Sequence, residues 1–217
     1  IRRDTELKAY LTFFVVSTVV ITISLHGEAY ASVGESLRYA AFQAASILTT
    51  TGYATADFAA WPAVAQIMLF ALMFIGGSAG STGGGIKVIR IVTLFKQGLN
   101  EMKYLLHPRA VFRIRLSGEP VGKHIVYAIS GFVFLYMFLL LLTTVLVAVA
   151  GNDILTSLTT ALATLGNIGP GFGKIGPTLN YAFYPDALKI YLSIIMMLGR
   201  LEVYTVLILF TPQFWRV

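Results

Sequence analysis

The sequence predicts an all-α membrane protein made of two tandem helix, pore-loop, helix repeats, and three observations carry that prediction. Hydrophobic residues fill 57% of the 217 positions and charged residues only 12%, whereas soluble domains carry about 25% charge. Uncharged apolar runs reach the roughly 20 residues that a hydrocarbon layer about 30 Å thick demands at 1.5 Å per residue. The order long helix, short helix, glycine-centred loop, long helix occurs twice.

The first long helix is expected over Lys8 to Leu25, apolar on every face, and His26-Gly27-Glu28 ends it. Ser36 to Leu48 predicts a helix of about 13 residues, too short to cross, which suits a re-entrant helix that enters the membrane and stops. Thr49 to Ala60 has no period. Trp61-Pro62 then opens an apolar helix to Ile75, with Trp at an interface and Pro in a first turn. Residues 76 to 85, GGSAGSTGGG, hold six Gly, two Ser, one Ala and one Thr, and at about 1 kcal/mol per glycine the helix must break there. It resumes at Ile86 and carries Lys87, Arg90 and Lys96 toward the cytoplasm.

Across Val111 to Leu116 apolar residues alternate with Arg113 and Arg115, a period of two that predicts a short strand before the Ser117-Gly118-Glu119 turn. Val121 to Ala150 is uncharged from Ile125 onward and long enough to span with tilt. Asp153 starts a second short helix, GNIGPGFGKIGP follows, and Tyr184-Pro185 opens a last helix over Ala187 to Phe210. Setting Thr50-Thr51-Gly52-Tyr53 against Thr164-Leu165-Gly166-Asn167 aligns two glycines 114 residues apart (166 minus 52). The chain divides accordingly into a repeat at 1–98, a basic connection at 99–120 and a repeat at 121–217. Its start at Ile1, without an initiator Met or a signal peptide, reads as a piece of a longer chain.

The net charge of +6 does not indicate nucleic acid, because eight of the sixteen Lys and Arg fall between Lys87 and Lys123. A basic connection between spans follows the positive-inside rule and turns both pore loops outward. The chain has no cysteine, and His26, His107 and His124 are scattered, so neither a disulfide nor a metal cluster is indicated.

A cation crossing hydrocarbon must exchange its water for oxygens, and backbone carbonyls supply them where glycine permits unusual dihedrals. Thr-Thr-Gly-Tyr after a short helix suits that task, and the negative end of the helix dipole assists it. The glycine-rich break fails as a phosphate loop, because Lys87 precedes Val88 rather than Ser or Thr and no strand leads in; close helix packing through Gly76 and Gly80 or Gly80 and Gly84 is a second reading. Gly171, Gly173 and Gly176 match GxGxxG only formally, without a βαβ unit. Arg200, mid-way along the last helix, is costly in a membrane unless it faces water or a partner. Glu202, two residues on, lies on another face.

TTTGY, GGSAGSTGGGIKVIR, TLGNIGPGFG and MLGRLE together resemble the third and fourth repeats of a bacterial Trk-type potassium transporter, in the Trk/Ktr/HKT superfamily. The Asn167-to-Gly171 pattern favours the Trk branch. The resemblance implies half of a pseudo-fourfold cation pore. Thr50, Thr51, Gly52 and Tyr53 would line one quarter of a selectivity filter, and Thr164, Leu165, Gly166 and Asn167 another, with potassium at their backbone carbonyls. Asn167 departs from the aromatic or apolar residue of the other quarters. Residues 76–85, with Gly76, Gly77, Gly80, Gly83, Gly84 and Gly85, would gate the pore, and Arg200 would point into it as a barrier. The same resemblance implies an N-terminal half with the first two repeats, a homodimer, a cytosolic nucleotide-binding regulatory subunit and the bacterial inner membrane, with no cofactor. A sodium- or proton-coupled secondary transporter with a substrate at broken helices is the rival. A purely structural membrane subunit is the third class. No nucleophile, base and orienting group occur together, which argues against an enzyme.

Overall fold

In a computed structural model of the chain, residues 4–110, 112–201, 208 and 212–215 are described. Among the described residues the helices form two groups of three, joined through a broken helix and a basic connection. Helices α1 (Thr5–Leu25), α2 (Val33–Leu48) and α3 (Ala63–Met73) pack mutually; α4 (Val88–Leu106) follows the glycine run and touches α1. In the second bundle α6 (Ile154–Leu165) sits between α5 (Lys123–Val149) and α7 (Asp186–Arg200), and α4 meets α5.

Sequence chemistry explains each end. Asp4 caps α1, its carboxylate accepting from the N–H groups of Glu6 and Leu7, and Asp153 caps α6 by accepting from Thr156 N–H at 3.0 Å. Pro62 and Pro185 precede α3 and α7, where a missing N–H costs nothing. The α2 helix starts three residues before the expected Ser36. The expected strand over Val111 to Leu116 shrinks to a two-residue ladder, β1 (Arg115–Leu116) against β2 (Glu119–Pro120), turned by Ser117 and Gly118, both at positive φ. Pro120 offers no N–H to prolong it. Val111 lies outside the described residues, as do 202–207 and 209–210 of the expected last helix.

Only α1 and α5 are long and apolar enough to cross a bilayer among the described residues, and 17% and 33% of their most apolar windows are buried. A soluble core helix would be mostly buried. Instead Val15, Val19 and Ile23 of α1 and Phe134, Phe138, Leu141 and Val145 of α5 face outward. The common core gathers where the short helices meet the long ones, around Ile21, Leu48, Leu69, Tyr136, Leu140, Leu162 and Leu165. Thr5 and Ser117 clasp the N-terminus of α1 to the basic connection, each N–H donating to the other's hydroxyl at 3.1 and 2.9 Å.

Candidate functional site

The site is built on the two chain segments that leave the short helices. After α2, Thr49 N–H donates to Ala45, Thr50 N–H to Ile47 and Thr51 N–H to Ser46. After α6, Gly166 N–H donates to Leu162, Asn167 N–H to Thr164 and Ile168 N–H to Ala163. Both series therefore step from four residues back to three and then to five. Dihedrals follow the same pattern, with Thr49 and Gly166 still helical, Thr50 and Asn167 at φ 54° and 52°, and Gly52 and Gly169 at 76° and 109°.

This correspondence runs at 117 residues (169 minus 52), not at the expected 114. Gly166 is a helical C-cap, so pairing it with Gly52 matched glycines with different backbone roles. By conformation the counterpart of Thr50 to Tyr53 is Asn167 to Pro170, and the expected Thr164 and Leu165 remain inside α6. Thr50 and Asn167, the non-glycine members at positive φ, carry strain that Asn tolerates better than most residues. Asn167 uses its side chain as well: Nδ2 donates to the Met196 carbonyl of α7 at 2.9 Å.

Polar side chains of the short helices hold both segments. Ser46 Oγ donates to the Tyr53 carbonyl at 2.6 Å, while Tyr53 itself is 73% exposed. In the second unit Thr159 Oγ1 donates to the Phe172 carbonyl, Thr156 Oγ1 accepts from Lys174 N–H, and Thr160 bonds Tyr184 hydroxyl to hydroxyl at 2.7 Å. Tyr181 donates to the Gly169 carbonyl at 2.6 Å. Burial, with a smaller contribution from Tyr184, raises the Tyr181 phenol above its usual value, so it remains a donor at neutral pH.

Glycines bring the pieces together, because a Cβ would not fit. At Gly52 it would overlap the Ile168 carbonyl, at Gly84 the Gly166 carbonyl, and at Gly199 the Leu165 carbonyl. The first segment, the glycine-rich run and α7 therefore converge on the second segment. Sequence reasoning overlooked Gly199, though a glycine inside a helix, at about 1 kcal/mol against Ala, is a signal of close approach.

Residues 76–85 form a loop closed at its neck, where Ile75 and Ile86 make a β-bridge and Gly76 N–H donates to the Ile86 carbonyl at 2.8 Å. Gly76, Gly77, Gly84 and Gly85 are buried or tightly placed, whereas Gly80 has open space around it. Gly83 lies against Thr50, whose buried hydroxyl makes no hydrogen bond. Glu6 of α1 accepts from Ala79 N–H at 2.6 Å and ties the loop tip to the first helix. Lys87, expected to point to the cytoplasm, instead turns back and is 7% exposed against the loop.

Arg200 is exposed and occupies the last turn of α7, whose C-cap is Leu201. A cation there complements the helix dipole. It follows Gly199 at the Leu165 carbonyl and stands four residues after Met196, the acceptor of Asn167. Glu202, expected on another face of the helix, lies outside the described residues.

The sequence profile of the TrkH family, described as a cation transport protein, matches residues 9–217. The Trk system potassium uptake protein TrkH of Halomonas elongata is 39% identical over 214 residues, covering 99% of this chain and 44% of that protein. The Escherichia coli protein of the same name is 39% identical over 215 residues, with the same coverage. The crystal structure of the potassium transporter TrkH from Vibrio parahaemolyticus superposes with a TM-score of 0.89 at 39% identity, over 98% of this chain and 45% of that one. The chain thus spans less than half the length of these relatives.

Proposed function

This chain belongs to the TrkH family of cation transport proteins, and on that premise we propose that it forms two quarters of a potassium-conducting pore in a bacterial inner membrane. Residues 50–53 and 167–170 supply two of the four filter strands, and potassium is the transported ligand at their carbonyls. The observation that carries this reading is the shared hydrogen-bond ladder and shared positive φ of the two segments, joined at Gly52 and Ile168. One conformation repeated around a central axis is what a ring of carbonyls requires. The relatives' names, potassium uptake proteins, supply the ion.

In this reading α2 and α6 are re-entrant, since 16 and 12 residues rise only about 24 and 18 Å. The units at 1–98 and 121–217 are repeats, and the basic connection at 99–120 faces the cytoplasm. The glycine loop gates the pore below the filter, against which it packs through Gly84 and Gly83. Arg200 is the electrostatic barrier at the same level. An N-terminal half completes the ring, and the whole forms a homodimer with a cytosolic nucleotide-binding regulator.

Potassium and sodium flux through the full-length protein in liposomes tests the assignment. Gly52→Ser and Gly169→Ser should both lower the potassium-to-sodium permeability ratio, because each adds a side chain at positive φ in a filter strand. An unchanged ratio in both variants removes these segments from the filter.

A further inference from the structure

We propose that Lys87 is the positioning residue of the glycine loop, a tethered cation that holds residues 76–85 in the obstructing conformation; this rests on the reading of that loop as the gate. The Lys87 ammonium lies 2.8 Å from the Ser81 carbonyl, 2.6 Å from the Gly83 carbonyl and 3.1 Å from Ser81 Oγ. Its three donors thus meet three oxygens of the loop. A lysine is almost never buried unless its charge is matched in this way.

The loop has little else to fix its shape. Six of its ten residues are glycine, each losing more conformational freedom on ordering than any other residue. Beyond the neck bond, two backbone bonds brace it among the described residues, from Ser81 N–H to the Ser78 carbonyl at 3.0 Å and from Val88 N–H to the Gly77 carbonyl at 3.3 Å. Lys87 follows the neck and reaches back across it, so one side chain ties the ascending limb to the start of α4. Glu6 holds the tip from the opposite side. The oxygens that Lys87 gathers are the kind that a dehydrated monovalent cation seeks. An ion arriving from the filter therefore finds them already occupied by a charge of its own sign.

Amide hydrogen exchange and potassium flux, both on the full-length protein, test this. Lys87→Met keeps the length and removes the charge. Exchange across 76–85 should accelerate by about tenfold or more, the scale of losing charge-assisted hydrogen bonds, while α2 and α6 stay unchanged and flux per folded molecule rises. Ser81→Ala removes one of the three acceptors and should accelerate the same amides by about threefold. Unchanged exchange in Lys87→Met overturns the proposal whatever the flux does. Faster exchange with unchanged flux upholds Lys87 as the brace of the loop and overturns the gate reading instead. If Lys87→Met yields no folded protein, Ser81→Ala decides alone, and unchanged exchange there overturns the proposal.

Discussion

Asn167 shows how one side chain serves both backbone and packing. Its positive φ and its amide bond to Met196 satisfy two demands that Leu or Ala does not meet. Asn167→Leu should lower stability by about 1–2 kcal/mol, from a left-handed residue and a lost hydrogen bond, read as a fall in thermal midpoint. Arg200→Ala should raise cation flux about tenfold at nearly constant selectivity. A charge about 6 Å from a passing cation contributes about 3 kcal/mol at an effective dielectric near 20, and half of that, after screening, is a tenfold rate change. Arg200→Lys, which keeps the charge, should stay slow. Less folded Arg200→Ala protein with unchanged flux per molecule would instead make the arginine structural.

At the scale of elements, the Asp153 cap and the glycine loop give separate tests. Hydrogen bonds from Thr156, first from its hydroxyl and then from its N–H, hold the Asp153 carboxyl below its usual value. Its contribution is therefore complete above pH about 4 and disappears as pH falls through the lowered folded-state value. Asp153→Ala should cost about 1 kcal/mol at pH 7 and remove that part of the acid dependence. Trimming residues 79–82 within the closed neck should raise basal flux and weaken regulation; low flux with regulation intact would leave the loop a packing element. Most elements were legible from the sequence, because hydrophobic run length, Trp-Pro starts and the glycine break are local signals. The pairing of the two proposed filter segments was not. Matching glycine to glycine put the register three residues off, since φ at Gly166 is set by α6 and not by residue type. The inward turn of Lys87 was equally hidden, because a lysine after a glycine run looks the same whether it faces water or folds back.

Among the described residues the outer faces of α1 and α5 are apolar, and two segments of the proposed filter come together. Under the proposed function the chain reconstituted alone should give no potassium-selective flux, and adding the N-terminal half should restore it. Selective flux from the chain alone would require the pore to assemble from several copies. The basic connection is also part of this larger plan, being pinned to α1 at Thr5, next to the Glu6 that holds the loop tip.

The bridge between Ile75 and Ile86 separates two mechanical roles within one interrupted helix. Force along the path from α3 to α4 crosses at the neck, through the Gly76 to Ile86 bond, and bypasses the ten residues beyond it. The scaffold keeps its length whatever the flap does. Once its ties to Glu6 and Lys87 are released, the segment beyond the neck is free to change size or swing on its clasp without tilting the helices that hold residues 50–53 and 167–170.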